Sequence, residues 1–310
     1  MPLHPAALLS MLLATQASAP QPTLPEILAR VAEEAEVLAQ NVPKALTQET
    51  LEQRALSPPA HFRPRIGKAA TVTPRPQLAV REIVSEYSVG TLKESDSRNL
   101  LEFRQVISVD GRPVQSAEHA RHALSLGIQS PDDRVRKRML EDFARHGLVD
   151  VATDYGLILL DFTKRGLENM QLKPAGEASV GAERALVFSW QQTSTAGGEL
   201  EFFGNQAVHR PLQGMLYVRK SDGLPLRVQA WAEHQDAKRT IRDEASVDYA
   251  LSAHGFLMPA SVVHRHRVDG QLRIENLYRY EPFKLFSADA EIKFTEVPET
   301  PPPPPAPPGK

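Results

Sequence analysis

The sequence predicts an α+β fold: a curved antiparallel sheet, an incomplete β-barrel, with covering helices, an N-terminal helix and a disordered Pro-rich tail. Three observations predict it. From Ala182 onward nearly every segment alternates like a strand, and short glycine turns at Asp222-Gly223, His254-Gly255 and Asp269-Gly270 join neighbours as hairpins. Helix signals are confined to the first half of the chain. The run Pro301 to Pro305 cannot donate backbone hydrogen bonds, which places the tail outside any core.

The 310 residues are 41% hydrophobic and 24% charged, which suits a globular chain and not a disordered one. The formal charge of -2 offers no positive field for a polyanion, so nucleic acid is not an expected partner. There is no cysteine. That excludes disulfides, thiol catalysis, Cys-ligated zinc and a lipidated N-terminal Cys.

Residues 1–19 read as a signal peptide: an apolar run from Ala6 to Ala14, then Ala17-Ser18-Ala19 in the small-x-small cleavage pattern, although the n-region carries no Lys or Arg. The expected location is periplasmic or extracellular. Nothing later reaches the ~20 apolar residues of a spanning helix. Residues 20–57 read as a helical segment. Leu24 to about Gln40 is amphipathic, with Thr23 as N-cap and Ile27, Val31, Ala35 and Leu38 at helical spacing; Thr47 to Leu56 reads as further helical turns. Residues 58–76 form a Pro-rich linker, residues 77–297 a β-rich domain, and residues 298–310 the tail.

Within the β-rich domain, Ile83 to Val89 and Leu101 to Val109 are strands, the second ending at the turn Asp110-Gly111. Val106 to Val114 followed by Ser116 to Leu124 resembles one edge of a PDZ domain, but a plain strand–turn–helix explains the same residues. A helix follows, capped by Ser130 with Pro131 in its first turn and an apolar stripe of Val135, Met139 and Phe143. Leu157 to Leu160 reads as a short buried strand, and Ala185 to Gln191 as another. In the hairpin from Gly214 to Glu233, Leu216, Val218, Leu226, Val228 and Ala230 share an aliphatic face that should meet the core. Met215, Tyr217, Arg219, Arg227, Gln229 and Trp231 share the other.

Catalytic signatures are not evident, so no enzyme activity, metal or cofactor is expected. His264 and His266 lie on one face of a strand, and a two-residue turn at Asp269-Gly270 places Glu275 opposite His264 and Arg273 opposite His266. Positive charge from Arg265, Arg267 and Arg273 argues against a zinc site there and for a solvated polar face. With Arg279, these residues make a basic strip suited to anionic headgroups or an acidic partner. His119 and His122 read as a surface helix.

The strand Gly214 to Val218, the turn Asp222-Gly-Leu-Pro225, the strand Leu226 to Gln229, the segment Gly255 to Val262 and the strand Asn276 to Tyr280 together resemble the outer-membrane lipoprotein-sorting carriers, the LolA- and LolB-like group. The resemblance spans roughly Ile83 to Phe294. It implies an apolar groove under a helical lid that takes a lipid or lipoprotein acyl chain. The residues expected to contact such a ligand are Met215, Tyr217, Trp231, His264, Arg265, Arg267 and Tyr278. The alternative is a scaffold that acts through edge strands, with an envelope protein bound to the Pro-rich tail.

Overall fold

The computed structural model describes residues 22–57, 77–92, 100–146, 148–149, 155–193, 199–203, 206–236 and 238–286. The expected signal peptide, Pro-rich linker and Pro-rich tail lie outside these residues. No helix among the described residues is long and apolar enough to cross a membrane.

Helix α1 spans Leu24–Asn41 and starts as its sequence dictates. Thr23 and Glu26 form a capping box, with Glu26 Oε2 accepting from Thr23 N at 2.7 Å and Oγ1 at 2.8 Å. Its stripe of Ile27, Val31, Ala35 and Leu38 is buried. The helical expectation for Thr47 to Leu56 is corrected: Ala45–Ser57 is strand β1. Pairing on both sides overrides a run of good helix formers, because β1 lies between β2 (Gln77–Thr91) and β13 (Gln271–Tyr280).

Strand β3 (Leu100–Val109) turns at Asp110 and Gly111, whose φ angles are 50° and 72°, into the two-residue β4 (Arg112–Pro113). Helix α2 (Ala117–Gln129) is capped by Ser116, and its His119 and His122 are exposed. Helix α3 (Asp133–Ala144) begins two residues later than predicted, because Asp132 accepts from Arg134 N and Ser130 accepts from Asp132 N. Its Met139 and Phe143 are buried while Val135 is exposed. The segment predicted as a strand at Leu157 to Leu160 is a buried 3-10 helix, Tyr155–Phe162. Leu157 to Leu160 is apolar on every side, and periodicity cannot separate such a run from a buried strand. The short α4 (Lys164–Leu167) follows.

The remaining strands are β5 (Met170–Val180), β6 (Glu183–Gln192), β7 (Glu199–Phe203), β8 (Gln206–Arg210), β9 (Gln213–Arg219), β10 (Pro225–Asp236), β11 (Arg239–Leu251), β12 (Leu257–Val268) and β14 (Lys284–Leu285). Twelve strands form one open antiparallel sheet in the order β4-β3-β2-β1-β13-β12-β11-β10-β9-β6-β5, with β14 beside β1. The strands β7 and β8 pair separately. The predicted hairpin turns are present: Gly223, Gly255 and Gly270 all have positive φ.

One register differs from expectation. A bulge at Arg273 shifts β13 by one residue, so His264 faces Asn276, His266 faces Ile274 and Glu275 faces Arg265. Glu275 therefore leaves the histidine face for the opposite one.

The inner face of the sheet is covered by α1 and the 3-10 segment, whose apolar residues join its strands in one core. A single cross-strand row runs through it: Ile83, Leu51, Tyr278, Val262, Val247, Val228, Leu216 and Phe188. All eight are buried. The expected aliphatic face of the β9–β10 hairpin is this face. On the outer face, α2 and α3 cover β2 and β3 through a smaller cluster of Phe103, Leu124 and Met139.

Candidate functional site: a sheet face with two halves

The row next to the apolar one shows how the inner face divides. It reads Arg81, Gln53, Asn276, His264, then Ala245, Ala230, Gly214, Trp190. The first four positions, on β2, β1, β13 and β12, are polar. The last four, on β11, β10, β9 and β6, are small or aromatic.

The polar half is tied together by hydrogen bonds. Val149 N donates to Gln53 Oε1 at 2.8 Å and Gln53 Nε2 donates back to Val149 O at 2.7 Å, which fixes the amide. Gln53 Nε2 also donates to Asn276 Oδ1 at 2.9 Å. Asn276 Nδ2 then meets His264 Nδ1 at 3.1 Å, and His264 Nε2 meets Asp243 Oδ1 at 3.3 Å. The network assigns the tautomer: Nδ1 accepts and Nε2–H donates. His266 Nδ1 shares Asp243 Oδ1 at 2.8 Å. Burial opposes the Asp243 charge, but the hydrogen bonds from both histidines outweigh it and hold the carboxyl below the usual range. The ring of Tyr155 stacks on His264 at 5.0 Å. The solvated histidine face expected from the sequence is thus corrected: His264 is buried and bonded on both nitrogens.

Beside this chain lies a buried ion cluster. Arg104 donates through Nε and Nη2 to Glu49 at 2.6 and 2.8 Å and through Nη2 to Glu102 at 2.6 Å. The rings of Phe143, Tyr87 and Tyr278 surround the guanidinium at 5.1, 5.2 and 5.6 Å. Burial raises the Glu49 carboxyl despite its arginine partner. Glu102 also accepts from Gly156 N at 3.2 Å. Tyr249 Oη donates to Gly156 O and accepts from Leu159 N, both at 3.0 Å. The 3-10 segment is therefore pinned to the sheet by buried polar bonds.

The apolar half is held differently. Phe188, Trp190, Leu216, Val218, Val228 and Ala230 lie in one buried apolar cluster with the α1 stripe, and Trp190 packs edge-on against Phe162 of the 3-10 segment at 5.3 Å. Among the described residues, the side-chain hydrogen bonds of α1 stay within the helix and its caps. Among the described residues its ion pair to another element, Glu36 with Lys164 at 3.7 Å, is exposed and weak, and Arg30 attracts the Asp222 carboxylate of the β9–β10 turn from further away. The groove implied by the resemblance is here filled by the chain's own helix.

At the β6 end of the apolar half sits Asp161, on the 3-10 segment between Leu160 and Phe162. Gln192 Nε2 approaches its Oδ2 at 3.4 Å, while Gln192 Oε1 accepts from Leu212 N at 2.9 Å. Burial pushes this carboxyl up to about 7.

The structure divides the seven residues expected to bind a ligand. His264 and Tyr278 stand on the inner face. Met215, Tyr217, Trp231, Arg265 and Arg267 stand on the outer face, by strand alternation. There the expected basic strip is corrected to an alternating charge ladder. Arg54 and Arg265 both reach Glu275, at 3.6 and 2.7 Å, and Arg242 and Arg267 both reach Glu244 at 3.1 Å. Arg279 pairs with Glu52, and the Arg242 guanidinium lies 4.8 Å over the Trp231 ring. Sequence reasoning missed Glu49, Glu102, Arg104, Gln53 and Asp161. The available signal was Glu102 and Arg104 on one side of a strand whose other side carries Phe103.

No family model matches the chain, and no curated protein matches it. Solved structures do. One is described as an outer membrane lipoprotein-sorting protein domain from Vibrio parahaemolyticus: TM-score 0.33, 8% identity, 85% of this chain and 94% of that one. Another is a DUF1329 family protein from Desulfovibrio piger: TM-score 0.35, 9% identity, 85% of this chain and 95% of that one. A third is MucB in complex with MucA(peri): TM-score 0.20, 10% identity, 85% of this chain and 99% of that one.

Proposed function

We propose that the protein is a non-catalytic binding protein of the cell envelope that takes an apolar chain, such as a lipid or lipoprotein acyl chain, against the apolar half of its inner face in place of α1. One observation carries this reading: the α1 stripe joins the apolar half in one buried cluster, and among the described residues no hydrogen bond ties α1 to a strand, so an acyl chain offers the sheet the same kind of contact. Burying Ile27, Val31 and Leu38 is worth about 1.5–3 kcal/mol each, and an acyl chain gains about 0.8 kcal/mol per methylene, so about six to eleven methylenes balance these three side chains. The leader-like N-terminus supports export.

Docking through an edge strand has less support. The described edge β5 carries Pro174 and a bulge at Gly176, and the opposite edge is flanked by β4, α2 and α3. Such features block strand addition.

The absence of cysteine allows a clean test. A Cβ built on Gly223 lies 3.8 Å from Arg30 Cβ on α1, the usual separation in a disulfide. The double variant Arg30→Cys/Gly223→Cys therefore locks α1 onto the β9–β10 turn when oxidised. The positive φ of Gly223 costs the variant about 1–2 kcal/mol, which the reduced protein controls for. The expected result is that wild type and the reduced variant bind a fluorescent acyl probe. Oxidation then weakens binding by about tenfold or more, and reductant restores it. A wild-type protein that ignores the probe, or a locked protein that binds it equally well, overturns the proposal.

A further inference from the structure

We infer that Asp161 is the headgroup site of this ligand, and that it selects a primary ammonium. This deepens the inner-face reading and rests on it. Three observations support the assignment. Among the described residues, Asp161 has one hydrogen bond, a long one of 3.4 Å from Gln192, and no cation pairs with it. Gln192 cannot swing to serve it better, because its Oε1 is held by Leu212 N. The carboxylate stands at the β6 end of the apolar half: its partner Gln192 follows Trp190 on the same face of β6, and Trp190 packs on Phe162, the residue after Asp161, at 5.3 Å.

A half-buried carboxyl with spare acceptor sites loses much of its water without receiving a donor in return, and this desolvation pushes it up to about 7. A ligand ammonium supplies both the missing charge and up to three donors. An anionic headgroup adds a like charge and is rejected; a hydroxyl supplies one donor and no charge. The other polar groups nearby do not compete for the role. Tyr249 Oη is committed to the backbone of the 3-10 segment, and Lys164 and Glu36 pair with each other at the surface.

The experiment compares dodecylammonium, dodecanol and laurate as probes, with wild type and Asp161→Asn, at about pH 8, where the carboxyl is ionised. Wild type is expected to bind dodecylammonium about tenfold or more tightly than dodecanol, and laurate most weakly. Asp161→Asn should lose that preference while keeping its dodecanol affinity, which also shows that the variant is folded. Near pH 5.5 the wild-type preference should shrink toward that of the variant, because the carboxyl is then mostly protonated. Equal binding of the three probes by wild type, or a preference that survives Asp161→Asn, overturns the assignment and leaves the inner-face reading standing. Failure of every probe overturns both.

Discussion

The two halves of the inner face are built on the same strands and the same pleat, yet their covers are attached in opposite ways. The 3-10 segment and residue Val149 are held by directional bonds to Glu102, Gln53 and, at the first strand of the apolar half, Tyr249. Any other occupant would have to replace each donor and acceptor in place, or leave buried groups unsatisfied. The apolar half holds α1 with no hydrogen bond among the described residues, and buried apolar area is something any oily chain can supply. The comparison teaches that a face can be fully covered and still be open to exchange, provided its cover makes no directional bonds.

The largest expected effect lies in the polar half. Arg104→Met removes the cation that bridges Glu49 and Glu102 and should destabilise the protein by about 3–5 kcal/mol in urea unfolding. A loss below about 1 kcal/mol would show that this half is not held by its ions.

Asp161 gives the next largest. Its folded carboxyl titrates near 7, against 3.8 for the ordinary group. Between these values the folded state holds a proton that the unfolded state has lost, so this group makes stability fall as pH rises from about 4 to about 7. The full drop is on the order of 4 kcal/mol. Asp161→Asn should flatten that part of the profile; an unchanged slope would place the titration elsewhere.

Gln53→Ala should cost about 1–3 kcal/mol by stranding Asn276 and the Val149 backbone, and amide exchange at Val149 should speed up with it. The outer charge ladder gives the smallest effect. Arg267→Ala should change stability by no more than about 1 kcal/mol, because that pair is partly exposed, and added salt should hide even this.

Much of this architecture was legible from local chemistry. Thr23 as N-cap and the spacing of Ile27, Val31, Ala35 and Leu38 located α1, and the glycines at 111, 223, 255 and 270 located the hairpins. Both signals act within a few residues. What escaped depends on distant partners. β1 contains Leu51-Glu-Gln-Arg-Ala-Leu56, good helix formers in isolation, and becomes a strand only because β2 and β13 flank it. The bulge at Arg273 moved Glu275 from His264 to Arg265, and a one-residue slip changes the face of everything beyond it. The ion cluster joins Glu49 to Arg104 across β2, through a register that no local pattern encodes. For the expected ligand residues, strand parity gave the right grouping of Met215, Tyr217 and Trp231, but it could not say which side α1 would cover.

Amide hydrogen exchange with and without a saturating acyl probe tests the exchangeable cover most directly. The account predicts that the probe speeds exchange of the α1 amides from Ile27 to Leu38, while β9 and β10 beneath them and the pinned 3-10 segment stay protected. Slower exchange throughout α1 in the presence of the probe would mean that the helix remains seated, and would contradict the account.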